Sequence, residues 1–284
     1  MRKTNKSKFR DLLRTEKMVT AAGIYDGLSA KAAEQAGFEA LYMTGNGSMA
    51  SMLGVPDLGL ATMDEMVRCA RDLALAVDVP LLCDADTGYG GLLNIKRTVE
   101  AFENADIAGI HIEDQALPKR CGALGGIKVV DREEARMRID MAVKARMDPD
   151  FIIIARTDAR DVFGLEEAVL RARIFESAGA DAIMVEGLKS LEEIRTVVDN
   201  VKIPVLFNIY EVSEEDAYDL EELEAAGVKI AINCLSATLL CARVLKNFYA
   251  EFRKTGTTRS YVNHMMPMGE YVEMMGIDQY QSIN

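Results

Sequence analysis

The sequence is poor in histidine: only His111 and His264 occur in 284 residues. That leaves little support for a metal site built from imidazoles or for a His-centred nucleophilic triad. Its five cysteines, Cys69, Cys83, Cys121, Cys234 and Cys241, form no C-x-x-C pair and show no zinc spacing. An odd count without a secretion signal points to reduced thiols and a cytoplasmic location. No uninterrupted apolar run approaches the roughly 18 residues of a membrane span. The basic, polar start MRKTNKSKFRDLLRTEK lacks the apolar stretch of a signal peptide. Positive charge is also in deficit, with 33 Lys and Arg against 45 Asp and Glu, a net charge of -12. This argues against nucleic acid and anionic membrane surfaces as partners. It does not exclude an anionic small molecule, because a local Arg or a divalent cation outweighs a remote net charge.

Apolar residues make up 49% of the chain, ordinary for a globular protein. They recur in eight short runs, each ending in small, polar or acidic residues. The first four are Val19 to Ile24, Ala40 to Met43, Leu81 to Cys83 and Gly109 to Ile112. Then come Phe151 to Ala155, Ala182 to Val185, Val205 to Phe207 and Lys229 to Ile232. Between them, apolar residues at three- and four-residue spacing predict helices. These cover Leu28 to Ala36, Met63 to Ala76, Ile95 to Asn104 and Arg132 to Arg146, then Leu165 to Ala178, Leu191 to Val198, Glu214 to Ala226 and Ser236 to Lys254. Several close on a Gly just past the helix end, as in AGF, AGA and AGV. Near-continuous apolar strands alternating with helices predict a buried parallel sheet. Eight units at this length predict a (β/α)8 TIM barrel. The competing doubly wound sheet would show a Gly-rich turn after its first strand, and YDGLSAK at Tyr25 is not one. The expected organisation is a single α/β domain over 1–284, with an N-terminal extension (1–17) and a C-terminal oligomerisation segment (256–284). Met265, Met266, Met268, Met274 and Met275 in that last segment suit packing on a second copy.

In such barrels the active site lies at the carboxyl ends of the strands. Asp84 and Asp86 follow the third strand in PLLCDADTGYGG. With side chains alternating along a strand, they are expected on one face. Two such carboxylates suit a hard cation, Mg2+ or alternatively Mn2+. Glu113 and Asp114 follow strand four, Arg156 and Asp158 strand five, Glu186 strand six and Asn208 strand seven; Tyr42, Thr44, Gly45 and Asn46 sit at strand two. Each has a structural reading when taken singly. Carboxylates gathered in this number around a single Arg would repel one another without a cation, and a cation would stabilise a developing enolate. The loop EDQALPKRCGALGGIKVV is long and Gly-rich, as barrel-rim lids are. Its Lys119 and Arg120 are expected to lower the pKa of Cys121. Cys69, Cys83, Cys234 and Cys241 lie in apolar periodic segments and read as small buried hydrophobes. His111, inside strand four, reads as a packed core residue.

YDGLSA, PDLG at Pro56, DADTGYG, GIHIEDQ, PKRCG and ARTDA together resemble the isocitrate lyase and phosphoenolpyruvate mutase superfamily, from about Ile24 to Leu239. The resemblance implies a (β/α)8 barrel, usually a homotetramer whose last helix is exchanged between subunits, that binds Mg2+ and an α-keto acid or its enolate. It implies a metal site at Asp84 and Asp86, with Asp57 and Glu113 in its water-mediated shell. Thr44, Gly45, Asn46 and Arg156 would hold the keto-acid carboxylate, and Gly122, Glu186 and Asn208 would line the substrate pocket. Cys121 in KRCG resembles the lyase branch, where that Cys is the general acid. The reaction implied is cleavage of a small 2-hydroxy di- or tricarboxylate to an α-keto acid such as pyruvate plus a carboxylate. Tyr42 would be the base that takes the hydroxyl proton, and Arg156 would stabilise charge. The alternative at the same metal site is oxaloacetate hydrolysis or decarboxylation, or carbon-phosphorus chemistry on phosphonopyruvate. Two departures stand out. Ala123 follows KRCG where a His is usual, and Leu239 in LSATLLCAR stands where 2-methylisocitrate lyases carry an Arg. Missing Arg partners favour a substrate with fewer carboxylates, such as 2,3-dimethylmalate or another alkylmalate.

Overall fold

The computed structural model describes residues 4–210 and 217–281. Eight parallel strands, β1 (Val19–Ile24), β2 (Ala40–Met43), β3 (Leu81–Asp84), β4 (Gly109–Glu113), β5 (Ile152–Thr157), β6 (Ala182–Val185), β7 (Val205–Ile209) and β8 (Ile230–Asn233), close into a barrel in sequence order. The last strand returns to the first, with Ala21 level with Ile232. Closure buries both strand faces, which is why the strands are apolar throughout instead of alternating. Alternate side chains separate into two cores. Ala21, Ala40, Tyr42, Leu82, Ile152, Ile154, Met184 and Ile232 fill the barrel interior. Leu41, Met43, Leu81, Ile110, Ile153 and Ile183 pack outward against the helices.

The N-terminal extension contains a helix, Asn5–Arg14, capped by Thr4. Its Phe9 is fully buried in the interior cluster, and the Asn5 and Lys6 side chains donate to the backbone carbonyls of Asp106 and Glu103. Short helices at Gly45–Leu53 and Ala159–Phe163 had no periodic signature in the sequence. The helix expected over Glu214 to Ala226 is observed as Leu220–Ala225, begun by a capping box of Asp219 and Glu222; 214–216 lie outside the described residues. The helix after β8, Ser236–Thr255, buries none of its residues. No helix among the described residues is long and apolar enough to cross a membrane.

Candidate active site

The carboxyl ends of the strands converge on one cavity. Tyr42, Thr44, Gly45, Asn46, Asp57, Asp84, Cys121, Gly122, Arg156, Glu186 and Asn208 all line it, as expected from the sequence; Lys119, Ala123, Tyr210, Cys234 and Leu235 complete the wall. Asp86 and Glu113 stand immediately behind it. The Asp86 amide donates to Asp84 Oδ1 at 2.8 Å, and Glu113 Oε2 lies 3.4 Å from Arg156 Nη1.

Asp86 reaches this position differently from the expected strand alternation. Strand β3 ends at Asp84, and Asp86 takes a left-handed backbone, φ 48°. A non-glycine residue there is strained. The turn folds Asp86 back toward Asp84. Gly45 shows how tightly this end is packed: a Cβ on it would lie 2.3 Å from Asp84 Oδ2. Thr44 caps the helix Gly45–Leu53, its Oγ1 accepting from the Gly47 amide at 2.9 Å. The first turn of that helix therefore borders the cavity, where free N–H groups favour a carboxylate.

The expected single Arg is corrected by the structure, which adds a second cation. Lys119 from the long loop is 3% exposed and places Nζ 2.5 Å from both Asp57 Oδ1 and Asp86 Oδ1. A lysine far along the chain could not be assigned to the strand-three carboxylates from sequence spacing. Arg156 pairs through Nε and Nη2 with both Asp158 oxygens, at 3.0 and 2.8 Å. Burial alone would lower the Arg156 pKa, but Asp158, Glu113 and Glu186 outweigh it and raise it. Asp114 belongs to a separate support, paired with Arg171 at 2.9 Å.

These cations do not neutralise the cluster. Burial pushes Asp86 up to about 6 in spite of Lys119, with Asp84 and Asp57 adding to the rise. Burial also raises Glu113 well above the carboxylate range, and neither Glu113 oxygen has a hydrogen-bond partner among the described residues. Buried carboxylates of this kind fit an oxygen-liganded cation. No three His, Cys, Asp or Glu side chains among the described residues form a direct ligand group.

Cys121 overturns a second expectation. Its thiol pKa is raised, chiefly by burial and then by Asp57. Arg156 and Lys119 pull it down by less than burial and Asp57 push it up: Lys119 is paired with Asp57 and Asp86, and Arg120 is exposed. The thiol is thus held protonated. Cys121 is fixed by its amide, which donates to the Asp57 carbonyl at 3.0 Å, and Asn46 Nδ2 reaches its Sγ at 3.8 Å. Gly122 allows close approach, since a Cβ there would meet Glu186 Cγ at 2.9 Å.

His111 is buried, as read from the sequence, but it also belongs to the site. Its Nε2 lies 2.5 Å from Tyr42 Oη and 3.2 Å from Asp84 Oδ1. Two-residue spacing from Glu113 was the signal that it faces inward. Leu239 is 56% exposed and lies outside the cavity wall.

Residues 9–252 match the family of phosphoenolpyruvate phosphomutase. The chain is 38% identical to 2,3-dimethylmalate lyase of Eubacterium barkeri, over 98% of this chain and 96% of the relative. The chain belongs to the PEP mutase/isocitrate lyase superfamily. Another member, 2-methylisocitrate lyase of Escherichia coli, is 38% identical over 96% of this chain and 93% of its own. Within the same superfamily fold, a solved structure of oxaloacetate acetylhydrolase with the inhibitor 3,3-difluorooxalacetate superposes with a TM-score of 0.93. It is 36% identical, covering 99% of this chain and 96% of the other.

Proposed function

We propose that the protein is a Mg2+-dependent carbon-carbon lyase that cleaves a small 2-hydroxy dicarboxylate of the alkylmalate type into an α-keto acid, such as pyruvate, and a carboxylate. A single observation carries this reading. Cys121, a thiol held protonated by burial, lines the same cavity as Arg156, Tyr42 and the Asp84 carboxylate. A neutral thiol beside a carboxylate-binding Arg suits a general acid that delivers a proton to carbon.

The N–H groups at the start of Gly45–Leu53 and the Arg156 guanidinium would hold the keto-acid carboxylate. Tyr42 Oη takes the hydroxyl proton, and its own proton passes to His111 Nε2, 2.5 Å away. With this relay the buried phenol need not stay deprotonated. The carbon-carbon bond next to the hydroxyl-bearing carbon breaks, its electron pair moving into the departing carboxylate fragment, and the Cys121 Sγ–H protonates that fragment's carbon. Glu186 and Asn208, joined at 3.4 Å, line the departing side. Asp84, with Asp86, Asp57 and Glu113 around it, would hold Mg2+, which supplies positive charge against the oxyanion as the bond breaks.

Cations available to further carboxylates are few. Lys119 and Arg156 are the only ones lining the cavity among the described residues, and both carry close carboxylate partners. This favours an alkylmalate over a tricarboxylate. The similarity to oxaloacetate acetylhydrolase supports a second reading, hydrolysis of oxaloacetate at the same site. Keto-acid release, coupled to lactate dehydrogenase, from 2,3-dimethylmalate, 2-methylisocitrate and isocitrate with Mg2+ tests the first reading, with oxaloacetate loss followed in parallel. Pyruvate from 2,3-dimethylmalate is the expected result; turnover of oxaloacetate alone would replace it with the second.

A further inference from the structure

The loop that carries Cys121 is tied to the carboxylate-binding side of the site through one side chain. Gln115 is fully buried just beyond β4. Its Oε1 accepts from the Arg120 amide at 2.9 Å and its Nε2 donates to the Arg120 carbonyl at 2.9 Å. The side-chain amide thus pairs with both backbone polar groups of one residue, as a neighbouring strand would, at the residue directly before Cys121. The same Nε2 also reaches Asp158 Oδ1 at 3.2 Å. That oxygen accepts from Arg156 Nη2 at 2.8 Å.

Gln115 is itself held rigidly. Arg138 Nη1 donates to the carbonyls of Glu113 and Gln115 at 3.2 and 2.8 Å. The neck of the loop is closed by an antiparallel bridge between Gln115 and Val129, with the Ala116 amide donating to the Lys128 carbonyl at 2.7 Å. Asp158 is fixed on its other side, where its amide donates to Asp114 Oδ1 at 3.0 Å. Thus one amide group links a fixed strand end, the loop backbone at Arg120 and the carboxylate that aligns Arg156.

Resting on the lyase reading above, we propose that Gln115 is a positioning residue that fixes Cys121 relative to Arg156, coupling the proton donor to the group that binds the keto-acid carboxylate. It touches neither substrate nor reacting atoms. Its amide is required for a specific reason: only a group with a donor and an acceptor on one planar unit can pair with both the N–H and the C=O of Arg120. Glutamate keeps the shape but loses the donor, and it sets a carboxylate against Asp158.

The test uses Gln115→Glu and Gln115→Leu in the full chain. Cys121 alkylation by iodoacetamide is followed by peptide mass spectrometry, with and without pyruvate and Mg2+, beside steady-state kinetics. In the unaltered protein the keto acid is expected to slow alkylation of Cys121. In both variants that protection should fall about tenfold, and kcat should fall by a similar factor with KM changed much less, as expected for losing hydrogen bonds to a charged group. Protection and kcat at the unaltered level would overturn the proposal. A lower kcat with intact protection would also overturn it, because a general loss of stability would then explain the result. Should the Leu variant fail to fold, the near-isosteric Glu variant decides. If the unaltered protein cleaves none of the substrates offered, the lyase reading falls, and protection of Cys121 by the keto acid still tests the coupling.

Discussion

The phenolic oxygen of Tyr42 lies 2.5 Å from Nε2 of His111, and both side chains are buried inside the barrel. His111 Nε2 is in turn 3.2 Å from Asp84 Oδ1. In the proposed mechanism this contact is the outlet for the phenol's proton. His111→Phe keeps the ring volume and removes the nitrogen. It should lower kcat by about 10²-fold or more, the usual range for loss of acid–base assistance, with the far-UV circular dichroism spectrum unchanged. Turnover within a factor of about two of the original would remove His111 from proton transfer, on the same scale.

The proposed Mg2+ site rests on the uncompensated carboxylates. Exhaustive chelation should abolish turnover, and Mg2+ should restore it, with Mn2+ as a substitute. Asp84→Ala should lose activity that added Mg2+ does not recover. Full activity of that variant, measured after chelation and readdition, would end the metal assignment at β3.

Cys121 should give the activity an alkaline limit. The proton is on sulfur below its pKa and is lost above it, and burial raises that pKa. Cleavage should therefore decline only above the ordinary thiol range. Cys121→Ser should cut kcat by about 10²-fold or more and abolish this limit, while pyruvate binding measured by calorimetry stays close to the original. An unchanged pH profile in that variant would show that another group is the acid.

The helix after β8, Ser236–Thr255, buries no residue within its own chain, and Leu239, Leu240, Val244, Leu245, Tyr249 and Phe252 are all exposed. Such a face suits packing against a second copy of the chain. A homotetramer with this helix exchanged between subunits is the proposed assembly. Light scattering on the full chain should give four times the chain mass, and Leu240→Asp with Val244→Asp should shift it to smaller species. A monomer at micromolar concentration would refute the assembly.

Much of the fold was legible in the sequence because strand and helix periods are local. Runs such as Ala40–Met43 and Ala182–Val185 appear at the expected residues, and their uninterrupted apolarity already implied a closed, covered parallel sheet. The placement of Tyr42, Thr44, Asp84, Arg156, Glu186 and Asn208 at strand ends followed from that topology, since all strands of a parallel barrel point the same way. The helix Gly45–Leu53 was not legible: GNGSMASML offers no apolar stripe, and it forms where the Thr44 cap and the barrel rim support it.

By itself, then, the chain's sequence determined the barrel, the end of it that carries chemistry and the residue types gathered there. Only the tertiary structure decided how those residues pair. Lys119 enters between Asp57 and Asp86, the thiol of Cys121 is raised instead of lowered, Gln115 grips the Arg120 peptide, and His111 reaches Tyr42 across the barrel. The physical reason is that charge pairing and desolvation depend on distances of a few ångströms between segments far apart in the chain, and those distances exist only after the sheet has closed and the loop has packed over its mouth.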